Sequence, residues 1–96
     1  MTPLTLTKTT DPQGRPVLKV AGEIDLSNTD AFEKALADTK GALVVDLSEV
    51  HYIDSAGMSV LFTHAERVEV IATSLLTPLL EMSGLSSMTT VRGVGD

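Results

Sequence analysis

Residues 42–57 read ALVVDLSEVHYIDSAG, a stretch with the pattern of a strand, a turn and the start of a helix. It opens with Ala42-Leu43-Val44-Val45, an apolar run too short for a helix of its own and typical of a central strand covered on both faces. Ile53-Asp54-Ser55-Ala56-Gly57 then joins the turn after this strand to a helix that begins at about Ala56. Strand, turn and helix in this order form the repeating unit of an α/β sheet.

The segment before this stretch has the pattern of a β-hairpin. Leu4 and Leu6 alternate with threonines, which is the period of a half-buried strand. Asp11-Pro12-Gln13-Gly14 has the composition of a tight turn, because proline presets φ and glycine adopts positive φ. Val17 to Ala21 supplies the second strand, so Leu4 to Ala21 is predicted to form an antiparallel hairpin.

Helical and strand signals alternate through the rest of the chain. Ser27 is placed to cap a first helix that ends at about Asp38. A second helix is indicated by apolar residues at helical spacing, namely Met58, Leu61, Phe62, Ala65 and Val68. The remaining predicted elements are a strand over Glu69 to Ala72, a third helix that opens at Thr73 or Thr77 and ends at Gly84, and a last strand over Met88 to Val91.

The resulting order is β-β-α-β-α-β-α-β. It predicts an α/β fold in which helices pack against a mixed sheet through right-handed crossovers. A chain of 96 residues has room for one core, so residues 1–96 are predicted to form a single domain.

Charge and composition narrow the possible functions. A net charge of −6 disfavours binding to nucleic acid or to anionic lipid. The chain has no cysteine and no apolar run near the ~20 residues of a membrane span, so we expect a soluble cytoplasmic protein.

Ser55 lies at or beside the predicted start of the second helix. Its hydroxyl can cap the free backbone N–H groups there, and a phosphate on it would face the same groups and the positive end of the helix dipole. The residues alone leave both interpretations open.

The charged residues from Val20 to Glu33 and from Gly41 to Thr63 are all acidic: Glu23, Asp25, Asp30, Glu33, Asp46, Glu49 and Asp54. If the Asp25 and Ser55 loops share one edge, they form an acidic surface suited to a basic partner.

Two catalytic alternatives fit the sequence poorly. A Gly-x-Ser-x-Gly elbow requires glycine where Ile53 stands, and the only histidines are His51 and His64. A phosphoacceptor aspartate of the response-regulator kind would be Asp46, which is predicted to end a strand, but no lysine follows Lys40. The spacing of His51 and His64 matches no metal motif, and the carboxylate oxygens of Glu23 and Asp25 are two separated ligands, which is weak evidence for a divalent ion. We therefore predict no metal, and we also expect no cofactor and no catalytic residue.

The chain resembles the STAS family, the sulphate-transporter and anti-sigma-factor-antagonist domains, over about its whole length. The resemblance rests on the order and spacing of Gly22-Glu23-Ile24-Asp25, the helix with Phe32 and Leu36, Val44-Val45-Asp46-Leu47-Ser48, Ile53-Asp54-Ser55-Ala56-Gly57 and Leu80-Glu81-Met82-Ser83-Gly84-Leu85. It implies a binding module of the anti-sigma-factor-antagonist type, which binds a kinase anti-sigma factor and so releases a sigma factor for transcription.

The resemblance also implies a phosphorylation switch. The kinase phosphorylates the matching serine, Ser55, from ATP and inactivates the antagonist, and a phosphatase reverses this. The implied partner-binding residues are Glu23, Asp25, Asp54, Ser55, Ala56 and Gly57, on a monomer or weak dimer. An alternative within the family is a stand-alone STAS subunit of a membrane lipid or anion transporter, in which Ser55 is only a cap.

The chain departs from the family at Glu66-Arg67-Val68-Glu69-Val70. This segment is several residues shorter than usual, which predicts a truncated helix or a late strand.

Overall fold

The structure is a computed structural model that describes residues 3–85 and 89–93. Its strands are β1 (Thr5–Thr10), β2 (Pro16–Ile24), β3 (Leu43–Ile53), β4 (Val68–Ala72) and β5 (Thr90–Gly93), and its helices are α1 (Thr29–Ala37), α2 (Ser55–Thr63) and α3 (Thr77–Met82). The predicted order of elements is confirmed. The predicted last strand began at Met88, which lies outside the described residues, and the strand itself begins at Thr90.

The five strands form one sheet in the order β1-β2-β3-β4-β5. The β1–β2 pair is antiparallel and closes through the predicted turn, in which the Gly14 N–H donates to the Asp11 carbonyl oxygen at 2.9 Å and Gly14 has a φ of 83°. The other strands pair in parallel. Each of the three crossovers connects a strand to its next neighbour on the same side, from β2 through to β5. Because right-handed crossovers that all run in one direction lie on the same side of a sheet, the three helices are placed on one face.

Burial follows this one-sided arrangement. Alternate residues of β2 are buried, as are Val68, Val70 and Ala72 of β4, while the residues between them are exposed or half-buried. The expectation that Ala42 to Val45 is covered on both faces holds for Leu43, Val44 and Val45, which are all buried, but not for Ala42, which is exposed and precedes β3. Val44 is only 4% exposed on the face away from the helices, where Val17 and Glu69 flank it in the sheet.

The central strand β3 is longer than the sequence indicated. Eight positions of β2, Val17 to Ile24, pair with ten of β3, Val44 to Ile53, because two register shifts insert extra residues. These bulges break the alternation that would have revealed the strand. The prediction that Asp46 ends a strand is therefore wrong, because Asp46 lies inside β3, as does His51.

The shortened segment between α2 and β4 is a truncated helix followed by a tight connection. Helix α2 ends at Thr63, and a 3-10 turn, Ala65–Arg67, leads directly into β4 at Val68. The Arg67 guanidinium donates to the carbonyl oxygens of Leu36, Thr39 and Gly41, at 2.5, 2.7 and 2.9 Å. Arg67 thus satisfies carbonyl groups at and just beyond the end of α1.

The start of α1 differs in detail from the sequence prediction, and the ends of α3 agree with it. Residue Asn28, not Ser27, occupies the N-cap position of α1, and the Ser27 hydroxyl instead donates to Asp25. The prediction that Ser27 caps α1 is therefore wrong. Helix α3 begins at Thr77 and is followed by Gly84 in the left-handed region, with a φ of 88°, as the stop signal predicted.

Candidate functional site

The loops that follow β2 and β3 meet at the carboxyl edge of the sheet. The Asp54 N–H donates to the Ile24 carbonyl oxygen at 3.1 Å, and the Leu26 N–H donates to Asp54 Oδ2 at 3.2 Å. The two loops that carry Asp25 and Ser55 are thus joined directly. In a sheet with parallel strands, loops at this edge are where ligands and partners usually meet the fold.

Asp54 is the residue that caps α2. Its Oδ1 accepts the Ala56 N–H at 2.9 Å and the Gly57 N–H at 3.1 Å. Serine and aspartate are both good N-cap residues, and only the position of the helix start distinguishes them. Because α2 begins at Ser55, the capping role considered for Ser55 belongs to Asp54.

Ser55 is exposed in the first turn of α2. Its hydroxyl forms no hydrogen bond with any described residue, while its carbonyl oxygen accepts the Ser59 hydroxyl at 3.0 Å. The N–H groups of Ala56 and Gly57, which the sequence suggested for a phosphate on Ser55, are already bonded to Asp54. The hydroxyl is therefore accessible to another molecule and is not used in holding the fold.

Gly57 allows α2 to approach the ends of β2 and β3. A Cβ atom at this position would lie 2.7 Å from Cγ2 of Ile24 and 2.7 Å from Cγ1 of Ile53. Contacts this short do not occur in relaxed structures, so with any side chain larger than hydrogen either the helix start or the two isoleucine side chains would have to shift. Gly57 thus permits the height at which Ser55 lies above the sheet edge.

The loop between β2 and α1 is braced by its own side chains. Asn28 Oδ1 accepts the Asp25 N–H at 3.0 Å, and Asn28 Nδ2 donates to the Glu23 carbonyl oxygen at 2.9 Å. The Asp25 carboxylate accepts the Ser27 N–H at 2.9 Å. Sequence reasoning missed Asn28, although the frequency of asparagine in turns was an available signal.

The structure brings most of the predicted site residues to one edge, but not all of them. Asp25, Asp54 and Ser55 lie in the two joined loops, with Ala56 and Gly57 beneath them. Glu23 is half-buried inside β2, and strand alternation places it on the sheet face away from the helices.

Apolar and acidic groups share this edge. Residues 25–28 and 54–57 contain two aspartates and no basic residue. Exposed apolar side chains lie at or just beyond the ends of three strands: Leu26 is 79% exposed, Leu75 63% and Tyr52 50%. Sequence reasoning missed these three side chains, because single apolar residues in or beside loops belong to no periodic pattern.

The geometry gives no support to the catalytic alternatives. His64 follows the last residue of α2, about 13 Å along the helix axis from Ser55. Its Nε2 contacts Glu33 Oε2 at 2.8 Å and its Nδ1 accepts an Arg67 N–H at 3.0 Å. Asp46 accepts the N–H of Ser48 within β3. Across residues 3–85 and 89–93, no group of three or more acidic or histidine side chains is arranged to hold a metal ion.

Membrane insertion through a helix is also unsupported. None of the helices within the described ranges is both long enough and apolar enough to span a bilayer.

Comparison with known proteins identifies relatives of the chain. A family model described as "Mlab, STAS domain" matches residues 8–90. Anti-sigma-F factor antagonist RsfB from two strains of Mycobacterium tuberculosis is 40% identical over 62 residues, which cover 60% of this chain and 51% of that protein. The chain thus spans about half the length of the curated relatives it matches.

Solved structures agree with this grouping. An anti-sigma factor antagonist from Mycobacterium paratuberculosis is 30% identical with a TM-score of 0.81, over 94% of this chain and 86% of that one. A putative anti-sigma factor antagonist from Thermotoga maritima, at 14% identity, has a TM-score of 0.70 over 93% and 86% of the two chains and supports the fold alone.

Proposed function

The chain belongs to the STAS-domain family, and we propose that it acts as an anti-sigma-factor antagonist whose binding is switched by phosphorylation of Ser55. It is a binding module and not an enzyme. Its partner is an anti-sigma factor with serine-kinase activity, and binding that partner releases a sigma factor in the cytoplasm. The relatives named as antagonists support the partner class, since one of them covers nearly the whole chain.

The observation that carries the proposal is the state of the Ser55 hydroxyl. It is exposed, has no hydrogen-bond partner among the described residues, and lies one residue after the Asp54 cap. A serine needed for the fold would use its hydroxyl in a cap or a turn. A hydroxyl that is held in a fixed place and left unbonded is suited to react with a group that another protein brings.

The modification itself is a phosphoryl transfer from ATP. The Ser55 oxygen forms a bond to the γ-phosphorus, the bond from that phosphorus to the bridging oxygen breaks, and ADP leaves. The serine proton passes to a base of the kinase, which also supplies the ATP site. A phosphatase restores the hydroxyl by hydrolysis.

Phosphorylation weakens binding through charge and bulk at the contact surface. It adds about −1.5 to −2 charges beside two aspartates, at a residue that the partner meets directly. Burying that charge against the partner requires its desolvation, which reduces affinity. The fold tolerates the change because Ser55 is exposed.

The proposal is tested by incubating the protein with candidate anti-sigma-factor kinases and ATP and measuring the intact mass. We expect the wild type to gain one phosphate, Ser55→Ala to gain none, and the control Ser59→Ala, altered one turn further along α2, to gain one. Absence of phosphate on the wild type, or an equal gain on Ser55→Ala, would overturn the proposal.

A further inference from the structure

Leu26 is an exposed apolar side chain in a loop that is unusually well fixed. It is 79% exposed, which by itself is common for a single surface leucine. Here, however, hydrogen bonds fix the residues that precede and follow Leu26 in the loop. Asn28 bonds the Asp25 N–H and the Glu23 carbonyl oxygen, and Asp25 bonds Ser27. A loop whose backbone is already ordered loses little conformational freedom on contact with a partner, which favours the use of its apolar side chain in binding.

The Leu26 backbone is tied to the start of α2 by a single carboxylate. Asp54 Oδ2 accepts the Leu26 N–H at 3.2 Å, while Asp54 Oδ1 accepts the Ala56 and Gly57 N–H groups at 2.9 and 3.1 Å. The Leu26 donor belongs to the loop between β2 and α1, and the other two belong to the first turn of α2. A rotation of this one side chain therefore affects the helix cap and the position of Leu26 together.

Ser55 directly follows this carboxylate in the chain. A phosphate on Ser55 introduces a doubly charged acceptor next to Asp54, at the end of a helix whose free donors are few. The two anions repel each other and compete for the same N–H groups, because each is a strong acceptor at the positive end of the helix dipole.

From this geometry we propose that Asp54 is a positioning residue that couples Ser55 to Leu26. Phosphorylation weakens the Asp54–Leu26 hydrogen bond and loosens the loop, so an apolar part of the partner surface is lost in addition to the direct effect of the phosphate. The coupling deepens the proposed function and rests on it for the biological role of Ser55 phosphorylation. The structural effect itself requires no partner.

The test uses protein carrying phosphoserine at position 55, installed during translation, and measures amide hydrogen exchange by NMR. We expect the Leu26 amide to exchange about fivefold faster than in unmodified protein, an effect typical of a like-charge interaction near the surface. The Leu47 amide, inside β3, serves as the control and keeps its exchange rate. An unchanged Leu26 amide in the phosphorylated protein would overturn the coupling.

The Asp54→Asn variant tests whether the negative charge of the Asp54 carboxylate couples Ser55 to Leu26, or whether Asp54 only holds the fold through its hydrogen bonds. Asparagine keeps one carbonyl oxygen for the cap but has no charge to be repelled. We expect faster Leu26 exchange in Asp54→Asn before any modification, with less than a twofold further increase from phosphoserine 55. An equal response to the phosphate in both backgrounds would contradict the role of the Asp54 carboxylate. Failure of the kinase assay would remove the proposed function but leave this measurement intact, so the two failures are distinguishable.

Discussion

At the scale of single residues, the site depends on which atoms are already bonded. Asp54 uses both carboxylate oxygens on backbone N–H groups, and Ser55 beside it uses none of its hydroxyl's bonding capacity among the described residues. The sequence was sufficient to place both residues at a helix start. It was not sufficient to tell which one caps the helix, because aspartate and serine have similar cap preferences and a shift of one residue exchanges their roles.

Gly57 gives a direct test of how closely α2 packs on the sheet. Gly57→Ala places a methyl group 2.7 Å from side-chain atoms of Ile24 and Ile53. Overpacking costs about 1–3 kcal/mol, and two simultaneous contacts of 2.7 Å place Gly57→Ala in the upper half of that range, above the ~1 kcal/mol that alanine gains over glycine in a helix. We expect a net loss of about 1–2 kcal/mol in the free energy of unfolding, measured by urea denaturation.

A matched glycine elsewhere serves as the control for this substitution. Gly93→Ala adds its methyl group where no atom lies within 4 Å, and it should change stability by less than about 0.5 kcal/mol. If Gly57→Ala is as stable as the wild type, the close approach of α2 to β2 and β3 is not as described.

At the scale of elements, the sequence predicted those helices and strands whose ends are marked by characteristic turn or stop residues. The β1–β2 hairpin follows from its Asp-Pro-Gln-Gly turn, and α3 ends where Gly84 indicates. The full length of β3 was missed because its bulges put Val50 and Ile53, both buried, three positions apart instead of two. No rule of alternation detects an element whose side-chain period is interrupted.

Arg67 stabilises the short connection between α2 and β4. Its guanidinium donates to three carbonyl oxygens at or beyond the end of α1, and of these only the Leu36 oxygen also accepts a backbone N–H, that of Thr39, among the described residues. We expect Arg67→Ala to lower the free energy of unfolding by about 2–3 kcal/mol in urea denaturation, because hydrogen bonds to a charged donor are the stronger kind.

Arg92→Ala is the control for the loss of an arginine. Arg92 forms an exposed ion pair with Glu69 at 3.2 Å, and such pairs contribute about 0–1 kcal/mol. Equal losses for Arg67→Ala and Arg92→Ala would contradict the role assigned to Arg67.

The β1–β2 turn is expected to depend on pH through Asp11. Partial burial acts to raise the pKa of Asp11, but hydrogen bonds from the Arg15 backbone and side chain, together with its positive charge, hold the pKa below its ordinary value. A lowered pKa in the folded state means that the ionised form stabilises the turn. This stabilisation is fully present above the ordinary value of 3.8 and is lost as pH falls through the lower folded pKa.

The pH dependence of the turn is measurable by NMR. The Gly14 and Arg15 amide shifts in the wild type should move toward random-coil values below about pH 4. In Asp11→Asn these shifts should lack that transition. A wild-type transition above pH 4 would contradict the lowered pKa.

At the scale of the whole molecule, the sheet has one face covered by the described helices and one carboxyl edge that carries the site. The helices cover one face because the successive right-handed crossovers run in one direction. The loops of the site meet at one edge because the strands before them are parallel. The order of elements predicted the sheet, whereas the sequence left open whether the Asp25 and Ser55 loops share one edge. It did not predict Leu26, Leu75 and Tyr52 as exposed apolar groups near that edge, because their exposure depends on the tertiary arrangement.

On the proposed function, phosphorylation of Ser55 controls binding of the whole domain to an anti-sigma factor. The most direct measurement is a calorimetric titration with the anti-sigma-F factor of Mycobacterium tuberculosis as the probe, comparing unmodified protein with protein that carries phosphoserine at position 55. We predict saturable one-to-one binding of the unmodified protein and an affinity at least tenfold lower for the phosphorylated form, a difference of about 1.4 kcal/mol or more. Absence of binding by the unmodified protein, or equal affinities for the two forms, would contradict the account.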